Sequence, residues 1–338
     1  MREAPFVTSA VRPWKLTEDR EPLRVVIVGA GKMARAHLEV LRDLPGVSLA
    51  GISNRSSDAG ERLASEFNIE RAYRDTEQML TEARPDAAII AVSHSVTYPI
   101  TRMILQMGVP CLIEKPAGYT VEETRELAEI AGQRGVINVV ALNRRYYSAV
   151  NRALLAVMQY GPVRGVVVEA NDSVERFRSR RAFDNWLYQS WLVANGIHAV
   201  DLLRMIAGDA VRVASIRQSW TEPCPDSLSS IVEMESGCIG TFVAHWNSRG
   251  YHALKIFGRG VMADLRPVEY GFLRYDTGRV IRVNQDSVDT RYKPGVYGQM
   301  VAFLQAVCDG QPAGFPASDL ADSVKTMTLI SQIAGAGV

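Results

Sequence analysis

Arg24-Val25-Val26-Ile27-Val28-Gly29-Ala30-Gly31-Lys32-Met33-Ala34-Arg35-Ala36-His37 is the stretch that decides the fold. Apolar, mostly β-branched residues run straight into Gly29-x-Gly31-x-x-Ala34, and Ala34, Leu38 and Leu41 then recur at helical spacing. The order is strand, tight turn, helix. In such a turn the first glycine permits the reversal and the second lets the backbone approach a pyrophosphate. The third small residue lets helix pack on strand, with the helix N-terminus facing the phosphates. A βα turn of some other doubly wound protein can share the spacing. The strand before it and the amphipathic helix after it favour the dinucleotide reading, with Gly29, Ala30, Gly31, Lys32 and Met33 against the cofactor.

Working outward, apolar strand-like stretches at 47–53, 87–92, 110–113 and 136–142, with a short one at 71–73, alternate with helical patterns at 58–67, 76–83 and 98–107. Thr120-x-x-Glu123 is a capping box that opens one more helix. Six alternations of this kind make an α/β fold, an N-terminal doubly wound parallel sheet of the Rossmann type. An arm over 1–23, a dinucleotide-binding domain over 24–143 and a substrate-binding and oligomerisation domain over 144–338 follow from this reading.

Ligands of an open parallel sheet bind beyond the carboxyl ends of its strands, so the residues just after each strand are candidates. Ser53-Asn54-Arg55 follows the second strand. NAD-specific sites usually place a carboxylate here, and none is present, so NADP(H) is favoured with NAD(H) as the alternative. Arg55 either meets the adenine or a 2′-phosphate, or is solvated. Ser93 and His94 follow the fourth strand, Glu114-Lys115-Pro116 the fifth, and Asn143-Arg144-Arg145-Tyr146 the sixth.

With 338 residues, 47% of them hydrophobic, the chain can bury more than one core. Its net charge of +1 gives no pull toward nucleic acid or membrane surfaces. No apolar run is long enough to span a bilayer, and residues 1–23 lack the apolar core of a signal peptide. Cys111, Cys224, Cys238 and Cys308 are scattered, which fits a reducing, cytoplasmic compartment. His94, His245 and His252 share no metal-ligand spacing with a carboxylate pair, so no metal is expected.

In the second half a helix over 149–158 leads to a strand over 163–170 and a loop with Arg176, Arg178, Arg180 and Arg181 interleaved with Phe177 and Phe183. That patch suits one anionic small substrate, or is simply solvated. A helix over 195–206 carries His198 and Asp201, and Asp201 is expected to bond within its helix or to a neighbouring strand. Strand-like stretches at 211–220, 228–234, 239–246 and 251–257 predict a largely antiparallel open sheet, one face under helices and the other free to meet a second subunit. Helices near 297–307 and 318–333 end the chain.

The Gly29 turn, Glu114-Lys115-Pro116 and Gly196-Ile197-His198-Ala199-Val200-Asp201, in this order and spacing, resemble the Gfo/Idh/MocA family over nearly the whole chain beyond residue 23. The resemblance implies a Rossmann domain followed by an α/β domain whose open sheet forms a homodimer or homotetramer interface. It implies hydride transfer between NAD(P) and a secondary alcohol or ketone of a sugar, sugar nucleotide or cyclitol. Lys115 becomes the candidate acid/base, with His198 beside it at the substrate oxygen. Gly29–Met33, Asn54, Arg55, Ser93, His94, Glu114, Lys115 and Asn143 would hold the cofactor. Lys115, Arg145, Tyr146, Asn195 and His198 would meet the substrate. The family often has an acid four residues before the histidine, whereas this chain has Ala194 there, then Asn195. That departure keeps two alternatives open: a non-catalytic dinucleotide or sugar sensor, and a hydrolase or lyase using a transient redox cycle on tightly held NAD.

Overall fold

The computed structural model describes Trp14 and residues 21–55, 57–180, 185–188, 190–220 and 224–335. Most of the arm expected over 1–23 lies outside the described residues, as do Arg181 and Phe183 of the arginine loop.

Packing divides the chain into two compact units, residues 1–143 with 288–324 and residues 144–287 with 325–338. The first unit holds β1 (Leu23–Val28), α1 (Lys32–Arg42), β2 (Val47–Ser53), α2 (Ser57–Phe67), β3 (Ala72–Tyr73), α3 (Thr76–Ala83) and β4 (Ala87–Ile90). It continues through α4 (His94–Gln106), β5 (Cys111–Ile113), α5 (Val121–Arg134) and β6 (Asn138–Val140). All six strands are parallel, in the order β3-β2-β1-β4-β5-β6. This is the doubly wound sheet expected from the sequence. Its central strands are buried on both faces, which is why Val25 to Val28 and Ala87 to Ile90 are continuous apolar runs. Thr120 caps α5 by accepting from Glu123 N, and Glu123 returns a bond to Tyr119 N.

The second unit begins with a 3-10 turn (Asn143–Tyr146, from Arg144 onward), then α6 (Ser148–Met158), β7 (Gly165–Ala170), α7 (Val174–Ser179) and α8 (Asn185–Tyr188). A π turn (Leu192–Gly196) leads into α9 (Ile197–Ala207). Then come β8 (Ala210–Gln218), β9 (Ser227–Met234), β10 (Ile239–His245), β11 (His252–Phe257), β12 (Val261–Leu265), β13 (Gly271–Tyr275) and β14 (Val280–Val283). They form one sheet in the order β14-β13-β12-β11-β7-β10-β9-β8, antiparallel except where β7 meets β10. The largely antiparallel reading holds, but β12, β13 and β14 were not foreseen. They are 5, 5 and 4 residues long, and β14 is a mostly exposed edge strand, so each carries too little alternation to stand out. Burial alternates strictly along β9, and α9 packs on β7 and β10.

The chain ends with α10 (Ser287–Arg291), α11 (Val296–Asp309) and α12 (Leu320–Ala334). α11 packs on α1, and Val296, Met300, Phe303 and Leu304 join Val25, Ile27, Leu38, Ile89 and Leu112 in the core of the first unit. Trp14 enters that core too, its Nε1 donating to Pro45 O at 2.7 Å.

Candidate active site

The turn after β1 is built by close approach. Gly29 has φ +104°, and a Cβ there would lie 2.2 Å from Ala91 O, so no other residue fits. Gly31 is different. It is the N-cap of α1, exposed, with no side-chain cap bond, no acid in the first helical turn, and nothing within 4 Å of a Cβ placed on it. No N-cap side chain therefore occupies the N-terminus of α1, where Lys32 and Met33 begin the helix. An uncapped helix N-terminus behind a glycine that leaves room for a ligand fits a dinucleotide pyrophosphate.

At the neighbouring strand ends, Asn54 N donates to Tyr73 O at 3.0 Å, fixing the backbone after β2, and Arg55 is exposed. Ser53 Oγ lies 2.9 Å from Thr76 Oγ1. Ser93 is the exposed N-cap of α4 and His94 is the first residue of that helix. Glu114 follows β5 and is buried, its Oε1 2.8 Å from Nε2 of the fully buried His37 on α1. Half-buried Lys115 is the next residue. Sequence reasoning missed the His37 partnership. The available signal was that His37 shares the apolar face of α1 with Ala34, Leu38 and Leu41, where an imidazole needs a polar partner. Asn143, also buried, donates through Nδ2 to Pro294 O at 2.9 Å and so ties the returning segment to the first unit.

Within the second unit His198 is buried on α9 directly after the π turn. Single π turns are frequent at functional sites. Asp201 bonds neither within its helix nor to a strand. Arg145 of the 3-10 turn holds it with Nε to Oδ2 at 2.7 Å and Nη2 to Oδ1 at 2.5 Å, and Thr326 Oγ1 donates to Oδ1 at 3.0 Å. The guanidinium of Arg145 is thus committed inside the protein. Tyr146 is buried, and burial pushes its hydroxyl well above the usual tyrosine range. Asn195 Nδ2 donates to Asp172 Oδ2 at 2.6 Å. On the arginine loop, Arg176 and Arg180 are exposed, while Arg178 lies 5.1 Å over the Tyr188 ring. Phe177 and Tyr188 pack on Trp191 with centroids at 5.2 and 6.0 Å. Among the described residues no cluster of three His, Cys, Asp or Glu side chains could hold a metal, and no helix is long and apolar enough to cross a membrane.

A parallel sheet with a glycine turn at an open helix N-terminus, joined to a second unit built on a mostly antiparallel sheet, defines a dinucleotide-binding oxidoreductase architecture. A family described as "Oxidoreductase family, NAD-binding Rossmann fold" matches residues 23–142, and the "GFO/IDH/MocA C-terminal domain" matches residues 151–264. The chain belongs to the Gfo/Idh/MocA family of NAD-binding oxidoreductases. Trans-1,2-dihydrobenzene-1,2-diol dehydrogenase of Mus musculus is 27% identical over 249 residues, 72% of this chain and 74% of that protein. D-apiose dehydrogenase of Paraburkholderia graminis is 28% identical over 200 residues, 56% of this chain and 51% of that protein. The solved structure of myo-inositol 2-dehydrogenase from Lactobacillus plantarum shares the fold with a TM-score of 0.74 at 20% identity, covering 92% of this chain and 96% of that one.

Proposed function

We propose that this oxidoreductase moves a hydride between NAD(P) and a secondary alcohol or ketone of a sugar, sugar nucleotide or cyclitol. The observation that carries the reading is Glu114-Lys115 at the carboxyl end of β5, with Glu114 anchored on His37 of the helix whose N-terminus is open for phosphate. Relatives named as dehydrogenases of a dihydrodiol, of D-apiose and of myo-inositol support it.

A bound nicotinamide supplies the hydride chemistry, and the protein supplies position and proton transfer. The backbone from Gly29 to Met33 holds the pyrophosphate. Asn54 and Arg55 take the adenosine ribose, where the lack of a carboxylate favours NADP(H) over NAD(H). Ser93, His94, Glu114 and Asn143 complete the cofactor side. Lys115 Nζ takes the hydroxyl proton on oxidation and returns it on reduction, and His198 is its partner in handling that proton. A lysine with an ordinary pKa near 10.4 is a weak base at neutrality. Exclusion of water and a nearby positive ring are the two effects that would make such a lysine a useful base. Tyr146 faces the substrate. Arg145 and Asn195 act as positioning residues, through Asp201 and Asp172 respectively. The face of the second sheet away from α9 is the surface for a homodimer or homotetramer.

The test is Lys115→Ala, assayed with NAD and NADP over sugars, nucleotide sugars and inositols. Turnover should fall by roughly 10²–10⁴-fold, the usual worth of a positioned acid/base, with cofactor affinity retained. Near-normal turnover would falsify the mechanism. Ala194 favours a second reading, a non-catalytic dinucleotide sensor, which predicts cofactor binding with no hydride exchange on any member of the panel.

A further inference from the structure

Asp172 lies just beyond β7, and three N–H groups converge on one of its two oxygens. Trp191 Nε1 donates to Oδ2 at 2.9 Å, Asn195 Nδ2 donates to it at 2.6 Å, and His252 Nε2 stands 3.1 Å from it. Among the described residues none donates to Oδ1. The orientation of His252 follows from its other nitrogen, since Nδ1 lies 2.6 Å from Arg144 Nη1. A guanidinium has only donors, so Nδ1 accepts, the ring proton sits on Nε2, and the imidazole is a neutral donor to Asp172. Arg144 and His252 are therefore positioning residues for this carboxylate.

The Asp172 side chain keeps 15% exposure. Burial pushes its carboxyl up, while the hydrogen bonds from His252, Trp191 and Asn195 push it down. The result is an ionised carboxylate, poor in water, whose donors crowd one oxygen and leave acceptor capacity on the other. A carboxylate only accepts, and in a low-dielectric setting an O–H that reaches it makes a charge-assisted bond. A carboxylate or phosphate brought to the same oxygen would be repelled. Two features connect this acceptor to the proposed site. Asn195, which holds Asp172, sits on the π turn three residues before His198. Trp191, which opens that turn and also holds Asp172, packs against the Phe177 and Tyr188 rings. One open acceptor matches an alcohol, which offers it an O–H.

We propose that Asp172 Oδ1 receives a hydroxyl of the substrate, and that it selects a neutral polyol over one bearing a carboxylate or phosphate at that position. The inference rests on the dehydrogenase reading above and adds the substrate class. Asp172→Asn tests it with little change of shape. The three donors still need an oxygen, so the amide carbonyl takes the place of Oδ2 and the NH₂ group turns the open acceptor into a donor.

Binding is read by ligand-observed NMR on the protein saturated with NADPH or NADH, using myo-inositol, D-glucose, the monodeoxy-D-glucoses and D-glucuronate. At least one neutral polyol should bind, about tenfold or more weakly to Asp172→Asn, with cofactor affinity and Tm little changed. One monodeoxy analogue should lose a similar factor on the unmodified protein and nothing further on the variant. D-glucuronate should bind more weakly than D-glucose; the reverse preference would make the arginine loop the determinant and overturn the proposal. Equal polyol affinity in protein and variant, or no polyol bound at all, overturns it too. If the variant fails to fold, the monodeoxy series and the D-glucuronate comparison on the unmodified protein decide. Polyol binding that depends on Asp172 without any turnover would uphold this inference and sink the dehydrogenase reading instead.

Discussion

Arg145 and Asp201 form a two-pronged ion pair in the interior of the second unit, their side chains 4% and 1% exposed. Thr326 links it onward, donating to Asp201 and accepting from Arg204 Nη1 at 2.7 Å, and Arg204 and Lys325 both hold Asp209. Removing one member strands a buried charge, whereas replacing both with apolar groups removes the problem. Asp201→Ala should therefore cost about 3–5 kcal/mol in urea unfolding. The Arg145→Met/Asp201→Leu double variant should recover most of the loss. A double variant no more stable than Asp201→Ala would contradict this account.

The two glycines of the first turn should respond differently to one methyl group. Gly29→Ala drives a Cβ into Ala91 O at a positive φ, so it should lower Tm sharply. Gly31→Ala meets no protein atom and has an extended φ of −85°, so stability should stay within about 0.5 kcal/mol. Its methyl group occupies the room left for the pyrophosphate, and NAD(P) affinity should fall at least about tenfold by fluorescence titration. Unchanged affinity in Gly31→Ala would show that the cofactor does not use this turn.

Asp43 accepts from the Tyr292 hydroxyl at 2.7 Å, and this bond, helped by Arg42 and Arg291, outweighs burial and holds its carboxyl below the usual range. Burial and Asp43 push the Tyr292 hydroxyl up to about 12. A depressed carboxylate stabilises the native state above its unfolded pKa, near 3.9, and that contribution is lost as pH falls through the lower native value. A raised tyrosine contributes fully below its unfolded pKa, near 10, and loses that contribution as pH rises through the native value. The stability gap between the protein and Tyr292→Phe should be flat from about pH 5 to 9 and narrow on both sides. A gap independent of pH down to pH 3 would rule out the coupling.

Ile231 faces Ala214 of β8 and Thr241 of β10 across the ladder, and Ile216 and Ile239 share its side of the sheet. These isoleucines are 60%, 80% and 53% exposed in the single chain. The proposed homodimer or homotetramer would bury this patch. Light scattering should give a dimer or tetramer, and Ile216→Glu/Ile231→Glu should give a monomer. A monomeric unmodified protein would remove this sheet from the assembly argument.

The sequence alone determined the parallel sheet, its glycine turn and the family resemblance. Both-face burial writes continuous apolar runs into the strands, amphipathic helices carry a 3.6-residue period, and Gly29 must be glycine wherever the turn is read. Lys115 was singled out by its place after the fifth strand, and His198 by the family resemblance. Only the tertiary structure decided what the polar groups hold. His37 and Glu114 are 77 residues apart, Arg145 and Asp201 are 56 apart, and Asp172 and His252 are 80 apart. No local period records such a bond, because its partners are chosen by which elements pack side by side. The same holds for residues 288–324, which return to the first unit after the whole second sheet has been built. Their apolar helix would fit any core, and only packing against α1 shows which one it completes.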